Sequence, residues 1–221
     1  MFDGPYSLYS RTMATSPLQV TQADRRDLLS RRLISIIEPL IEAGEGYSEL
    51  SVERIIRAAG ISRSTFYSYF DDKADLLGAM AQHVVADVLD TGDSWWDLPD
   101  DAGRDELREA LRPPIDAYRR HRTLLGAVVE SAAYDPRARE QLNLLVEGAA
   151  DALATHIRAC QRAGSAAPEL DPARSARWLI WMIERGLYQL MSPAGDREAR
   201  RLLDSLTDLV WRSLYAGYRP G

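Results

Sequence analysis

Seven consecutive residues, Arg63 to Tyr69, carry the most distinctive side-chain chemistry in the 221-residue chain. Phe66 and Phe70 stand four apart, so on a helix they share one face and turn into a small core. The outward set is then Arg63, Ser64, Thr65, Tyr67, Ser68 and Tyr69. These are a guanidinium, short hydroxyls and two phenols, with no carboxylate among them. Such a surface can hydrogen-bond phosphate oxygens and base edges without repelling a polyanion. Ser62 supplies a cap, and the amides at that helix start add an anion-binding end. Lys73, the single lysine among 27 basic residues, adds a point charge at the edge of this face. The same face also fits a solvated helix in an unrelated bundle, because spacing alone does not separate the two.

The elements that must hold this stretch are read from the punctuation before it. Leu28, Leu29, Leu33, Ile36, Ile37, Leu40 and Ile41 recur at three- and four-residue intervals and build one apolar stripe on a helix. Pro39 lies inside that stripe, and Gly44 and Gly46 end it. Ser51 caps a second, short helix, with Leu50 and Ile55 at the spacing of a hydrophobic staple; Gly60 closes it. Ile61 and Phe66 repeat that spacing around Ser62. Helix, tight turn and helix is the layout of a helix-turn-helix. Asp72 and Asp75 then open a longer helix carrying Leu76, Leu77, Met80, Val84 and Val88.

Residues 1–20 show no periodicity and contain Gly4, Pro5 and Pro17, which predicts a flexible arm; 92–103 read as a connecting loop. Five helical stretches follow, at 104–121, 122–134, 136–163, 172–191 and 196–215, the first expected to bend at Pro113-Pro114. No strand pattern appears, so the fold class is all-α: an N-terminal three-helix helix-turn-helix domain over 21–80 and a C-terminal helical bundle over 81–221.

Composition and motifs exclude several functions. Unbroken apolar runs such as Leu179 to Ile183 are far short of the roughly 20 residues that span a bilayer, so no membrane partner is expected. One cysteine, Cys160, forbids an internal disulfide and a Cys-based zinc site, and fits a reducing cytoplasm. His83, His121 and His156 are scattered, and no metalloprotease, serine-hydrolase or phosphate-loop pattern occurs, which argues against an enzyme. No cofactor or metal is expected.

The run Gly60-Ile61-Ser62-Arg63-Ser64-Thr65-Phe66-Tyr67-Ser68-Tyr69-Phe70-Asp71-Asp72-Lys73-Ala74-Asp75-Leu76-Leu77 resembles the signature of the TetR family of transcriptional regulators. Glu184 to Tyr188 and Trp211 to Tyr215 are similar to the EthR-like branch of that family. The resemblance implies a homodimeric, all-helical repressor that binds a palindromic double-stranded DNA operator and is released by a small molecule. By position it implies base or adjacent phosphate contacts at Arg63, Ser64, Thr65 and Ser68. Tyr67, Tyr69 and Lys73 then grip the backbone, and Ser51 and Ser62 sit at capping positions next to phosphates.

For the C-terminal half, the resemblance implies a dimer interface on the last two helices, at Trp181, Leu202, Leu206, Leu209 and Val210. It also favours a pocket for a hydrophobic effector lined by Leu111, Pro114, Tyr118, Leu125, Val129, Leu142, Val146, Ile180, Ile183 and Tyr188, with Glu184 as polar handle. The same residues are equally compatible with plain core. A helical small-molecule-binding dimer without specific DNA binding is the alternative.

One departure concerns charge. Between Thr21 and Lys73 stand eight basic residues (Arg25, Arg26, Arg31, Arg32, Arg54, Arg57, Arg63, Lys73) against nine acidic ones (Asp24, Asp27, Glu38, Glu42, Glu45, Glu49, Glu53, Asp71, Asp72), in a chain of net charge −6. Grip on DNA must therefore come from placement. A salt titration of DNA binding is expected to give a shallow slope, reflecting few neutralised phosphates per subunit; a slope like that of a strongly basic repressor contradicts this.

Overall fold

The computed structural model describes residues 21–91, 93–99 and 101–217, so the arm expected over 1–20 lies outside the described residues. Among them there is no β-strand. The helices are α1 (Gln22–Glu42), α2 (Val52–Ala59), α3 (Arg63–Tyr69), α4 (Lys73–Asp90), α5 (Asp93–Trp96), α6 (Arg104–Arg120), α7 (Arg122–Ala132), α8 (Pro136–Ala163), α9 (Pro172–Gly186) and α10 (Asp196–Leu214). No helix among the described residues is long and apolar enough to cross a membrane.

Local chemistry sets most of the boundaries. Thr21 and Asp24 form a reciprocal capping box on α1; Ser51, Ser62, Asp135 and Asp171 each accept an amide hydrogen bond at a helix start. Gly60 ends α2 with φ 63°, a left-handed conformation that costs glycine nothing. Both staples close: Leu50 and Ile55 are buried, and Phe66 is fully buried with Ile61 packed against the same core. That core contains Leu33, Ile37, Phe70, Leu76, Met80 and Val84, and continues without a break into Leu124 and Val128 of α7. Burial of Phe66 or Phe70 contributes on the order of 1.5–3 kcal/mol each. Residue 80, the expected domain boundary, falls inside α4, which packs on α1 as well as on α6, α7 and α8.

Two expectations about the C-terminal half are revised. The segment expected as a loop contains α5, and its Trp95 is buried in a second core, stacked on Trp96 and donating its indole N–H to the Tyr215 hydroxyl at 3.0 Å. A tryptophan pair can form a folded anchor that no helical periodicity announces. Helix α6 carries Pro113 and Pro114 inside its length, and ion pairs run from its Arg104 and Arg108 to Asp208 and Asp204 of α10. The penultimate helix does not stay α-helical to Met191: Leu187–Met191 wind as a π-helix, a form that recurs at functional sites.

Polar contacts tie the N-terminal helices to the bundle. Arg137 of α8 pairs with Asp72 at 2.8 Å, and His121, between α6 and α7, meets Glu38 of α1 at 2.9 Å. The hydrogen bond to Glu38 raises the His121 pKa against the opposing effect of burial. A histidine raised in this way adds stability that is full below its unfolded value of about 6.5 and is lost as pH rises through the folded value. The thermal midpoint is therefore expected to fall between about pH 6 and pH 8, and His121→Gln to flatten that dependence; an unchanged pH profile in the variant contradicts the assignment.

Candidate nucleic-acid interface and effector cavity

Helix α3 presents Arg63, Ser64, Tyr67 and Ser68 to solvent, while Thr65 and Tyr69 are half-buried and Phe66 faces inward. Several of its polar groups are already oriented. The Ser68 hydroxyl donates to the Ser64 carbonyl at 2.7 Å, which leaves its lone pairs outward. Ser62 accepts from the Thr65 amide and also shares a hydrogen bond with the Thr65 hydroxyl at 2.8 Å. Ser51 is committed to the Arg54 amide. At the far end of α3, Gln22 donates its side-chain amide to the Ser68 carbonyl at 3.1 Å, fixing the start of α1 against the end of α3. Arg32 donates to the Ala59 carbonyl at 2.8 Å and so satisfies the C-terminal end of α2.

The cations are placed less simply than their sequence suggests. The Arg63 guanidinium stacks near the Tyr67 ring, 5.5 Å from its centroid, and is held by Glu53 of α2 at 2.6 Å. Lys73, expected at the DNA backbone, spends its ammonium on the fold: it donates to the carbonyls of Tyr47, Ser48 and Leu50 at 3.0, 2.7 and 3.0 Å. Its own carbonyl accepts from the Tyr47 hydroxyl at 2.7 Å, and burial lowers its pKa. An ammonium has three donors, and here all three are used within the chain. Arg26, Arg31 and Arg54 are paired with Asp75, Asp27 and Glu45. Of the eight cations between Thr21 and Lys73, the guanidinium groups of Arg25 and Arg57 have no ion-pair or hydrogen-bond partner among the described residues. Arg57 lies one helical turn beyond Glu53, on the face of α2 that reaches Arg63. Sequence reasoning counted these two without singling them out, since partners far apart in the chain decide which cations stay available.

The second feature is a cavity of about 190 Å³ among α4, α5, α6, α7, α8, α9 and α10. Leu111, Pro114, Tyr118, Leu125, Val129, Leu142, Val146, Ile180, Ile183 and Glu184 line it as the sequence reading expected. Tyr188 does not. It belongs to a different hollow beside Gly126 and Glu130, with its hydroxyl 3.4 Å from Glu130. Leu187 stands on the cavity wall instead, three, four and seven residues after Glu184, Ile183 and Ile180, at the regular spacing of one helix face. Also on the wall, and missed, are Trp95 and Trp96 of α5, Ala81, Val85 and Val88 of α4, Ile115, Val128, Leu145 and Ala149 of α6 to α8, and Leu206 of α10. The α4 residues follow from the helix's apolar pattern once both of its sides are known to be covered. Glu184 is half-buried, and desolvation raises its carboxyl pKa, opposed by Arg185. Burial likewise raises the Tyr118 phenol well above its ordinary value.

A helix-turn-helix on a helical bundle with an internal cavity can be compared with known proteins. Residues 43–80 match the family model for bacterial regulatory proteins of the tetR family, and residues 107–216 match the model for the C-terminal domain of the transcriptional regulator EthR. The chain belongs to the TetR family. It is 27% identical over 192 residues to the HTH-type transcriptional regulator EthR of Mycobacterium tuberculosis, covering 85% of this chain and 87% of that one. Among solved structures, the fold is shared with a TetR-family transcriptional regulator from Syntrophomonas wolfei (TM-score 0.67, 16% identity, 89% of this chain and all of that one). It is also shared with a transcriptional regulator from Saccharomonospora viridis in complex with choline (TM-score 0.63, 19% identity, 85% and 98% covered). The protein is thus a DNA-binding transcriptional regulator and not an enzyme.

In this TetR-family chain the last two helices leave an apolar strip uncovered. Trp178 is 80% exposed, and Met182 and Leu209 are also exposed. Leu202, Leu206 and Trp181 are half-buried. Val210 departs from the expected interface: it is fully buried in the chain's own core, on the inward stripe Leu203, Thr207, Val210 and Leu214. The neighbouring stripe, Leu202, Leu206 and Leu209, is displaced toward solvent, and single-residue offsets on a helix decide between the two.

Two substitutions separate the roles of the cations. Glu53→Gln releases Arg63 and is expected to tighten DNA binding and steepen its salt slope by about one, read by fluorescence anisotropy across a salt series. Lys73→Met is expected to lower unfolding stability by about 1–3 kcal/mol while leaving the salt slope unchanged. A slope reduced by one at unchanged stability identifies Lys73 as a phosphate contact instead.

Proposed function

We propose that the chain is a homodimeric repressor that binds a palindromic operator through α3 and releases it when a hydrophobic small molecule occupies the cavity. The observation that carries this reading is that α4 belongs to both sites. Leu76, Met80 and Val84 pack in the core beneath α3, while Ala81, Val85 and Val88 of the same helix form cavity wall. An occupant of the cavity therefore touches the rod on which the reading head is mounted. Linkage requires that such a ligand lower DNA affinity only to the extent that it prefers the conformer whose reading heads are wrongly spaced.

In this reading Arg63, Ser64, Thr65 and Ser68 contact bases and neighbouring phosphates. Tyr67, Tyr69, Arg25 and Arg57, with Ser51 and Ser62 at the caps, steady the backbone. Trp178, Met182 and Leu209 cover their counterparts across the two-fold axis, with Trp181, Leu202 and Leu206 at the margin. Two-fold symmetry sets the two α3 helices about 34–36 Å apart, one DNA turn, or at a multiple of that. A walled space of this size suits a compact apolar body, since a 150 Å³ apolar cavity in another protein holds benzene. The regulator from Saccharomonospora viridis, with the same fold, was seen with a small organic ligand, choline. The reading places the protein in the cytoplasm, with DNA and a reduced Cys160.

A gel-shift experiment against the gene's own upstream region tests it. The full chain is expected to retard that fragment and Tyr67→Ala to abolish retardation. Arg63→Ala is expected to cost about 1–3 kcal/mol and to relax base preference at one position. Absence of a shift on any genomic fragment supports a small-molecule-binding dimer without specific DNA binding, and equal weakening on every sequence makes Arg63 a phosphate contact.

A further inference from the structure

The cavity wall holds one conspicuous irregularity. Among the described residues that line it, Glu184 alone carries a formal charge. Its Oε2 is buried and has no hydrogen-bond partner. The nearest cation, Arg185, stands 3.7 Å away, beyond hydrogen-bonding reach, and its half-exposed guanidinium lies over the Tyr188 ring, 5.7 Å from the centroid. The titratable and charged groups facing Glu184 are Arg185 and Tyr188 from its own segment and Tyr118 from α6. Helices α4, α7 and α8 present only alkyl groups to the space.

A buried carboxyl oxygen without a hydrogen bond carries the desolvation cost of a polar group, and Arg185 at 3.7 Å offsets it only in part. A purely apolar occupant would exclude water from it and leave that cost standing. An acidic occupant would find no cation on the wall and would meet the like charge of Glu184. A protonated nitrogen close to Glu184 resolves the deficit, with a charge-assisted hydrogen bond in a site of low dielectric. We infer that the effector is a compact apolar body carrying one basic nitrogen, which pairs with Glu184. The inference rests on the proposed role of the cavity as the effector site.

Burial biases Glu184 toward its neutral form and an ammonium ligand biases it back, so such a ligand binds more tightly as pH rises and the carboxyl ionises, until the amine itself loses its proton.

Calorimetric titration of the full chain with benzylamine, benzyl alcohol and benzoate, three probes built on one ring, tests the assignment. At pH 7.5 benzylamine is expected to bind about tenfold more tightly than benzyl alcohol, with benzoate weakest. The amine's advantage is expected to shrink on lowering the pH to about 5. In Glu184→Gln, an isosteric replacement whose folding is checked by its melting curve, the amine and alcohol are expected to bind within about twofold of each other. If that variant does not fold, the wild-type pH series decides. Equal binding of the three probes by the wild type, an amine preference that survives Glu184→Gln, or one that is independent of pH overturns the inference and leaves the cavity as an effector site. Failure of every probe to bind the wild type removes the cavity reading together with it.

Discussion

Helix α4 is buried on two sides by two different structures, and nearly everything the protein can do passes through that constraint. Its first residue, Lys73, gathers three carbonyls of the segment between α1 and α2, so the helix-turn-helix cannot shift without carrying the start of α4 with it. Asp75, one turn on, holds Arg26 of α1, and Asp72, the residue just before α4, holds Arg137 of α8. The middle of the helix is divided between the core under α3 and the wall of the cavity. Close packing makes such a helix respond as a unit, because interiors resist local deformation.

The same economy governs charge. A domain with nearly balanced basic and acidic residues could not hold DNA by bulk attraction. The structure shows most of its cations already employed: Lys73 and Arg32 on backbone carbonyls, Arg26, Arg31 and Arg54 on carboxylates. Arg63 is engaged too, but on the surface and with a single carboxylate, Glu53, where ion pairs are worth little and are readily exchanged for a phosphate. In the cavity the balance is reversed. One carboxylate stands among alkyl groups, and its missing partner says more about an occupant than the apolar wall does.

What the sequence made legible follows the range of the interactions. Caps at Ser51 and Ser62, the turn at Gly60 and the staples around them are settled within six residues of chain, and they appear in the structure as read. The cavity wall on α6 to α9 was legible for a related reason: helical periodicity assigns faces, and apolar faces that meet define the space between them. Tyr188 fell outside because the face that carries Ile180, Ile183 and Glu184 continues through Leu187, one residue earlier, and Tyr188 turns toward Gly126 and Glu130. Val210 fell inside because one residue's offset on α10 separates a buried stripe from an exposed one. The roles of Lys73 and Arg63, and the folding of α5 around Trp95 and Tyr215, depend on partners 10 to 120 positions away. Those contacts exist only once the helices have packed.

In the proposed regulator, occupation of the cavity is felt at the reading face through α4. Pulsed electron resonance between spin labels on Glu42→Cys, exposed at the end of α1 and outside the proposed DNA contacts, measures the spacing of the DNA-binding domains in the proposed dimer, with Cys160 buried. Val146→Trp, which places an indole in the cavity, serves as a built-in occupant. In that variant the label-to-label distance is expected to move away from the value found with operator bound, and operator affinity to fall with it. An unchanged distance distribution in a folded, cavity-filled dimer would contradict it.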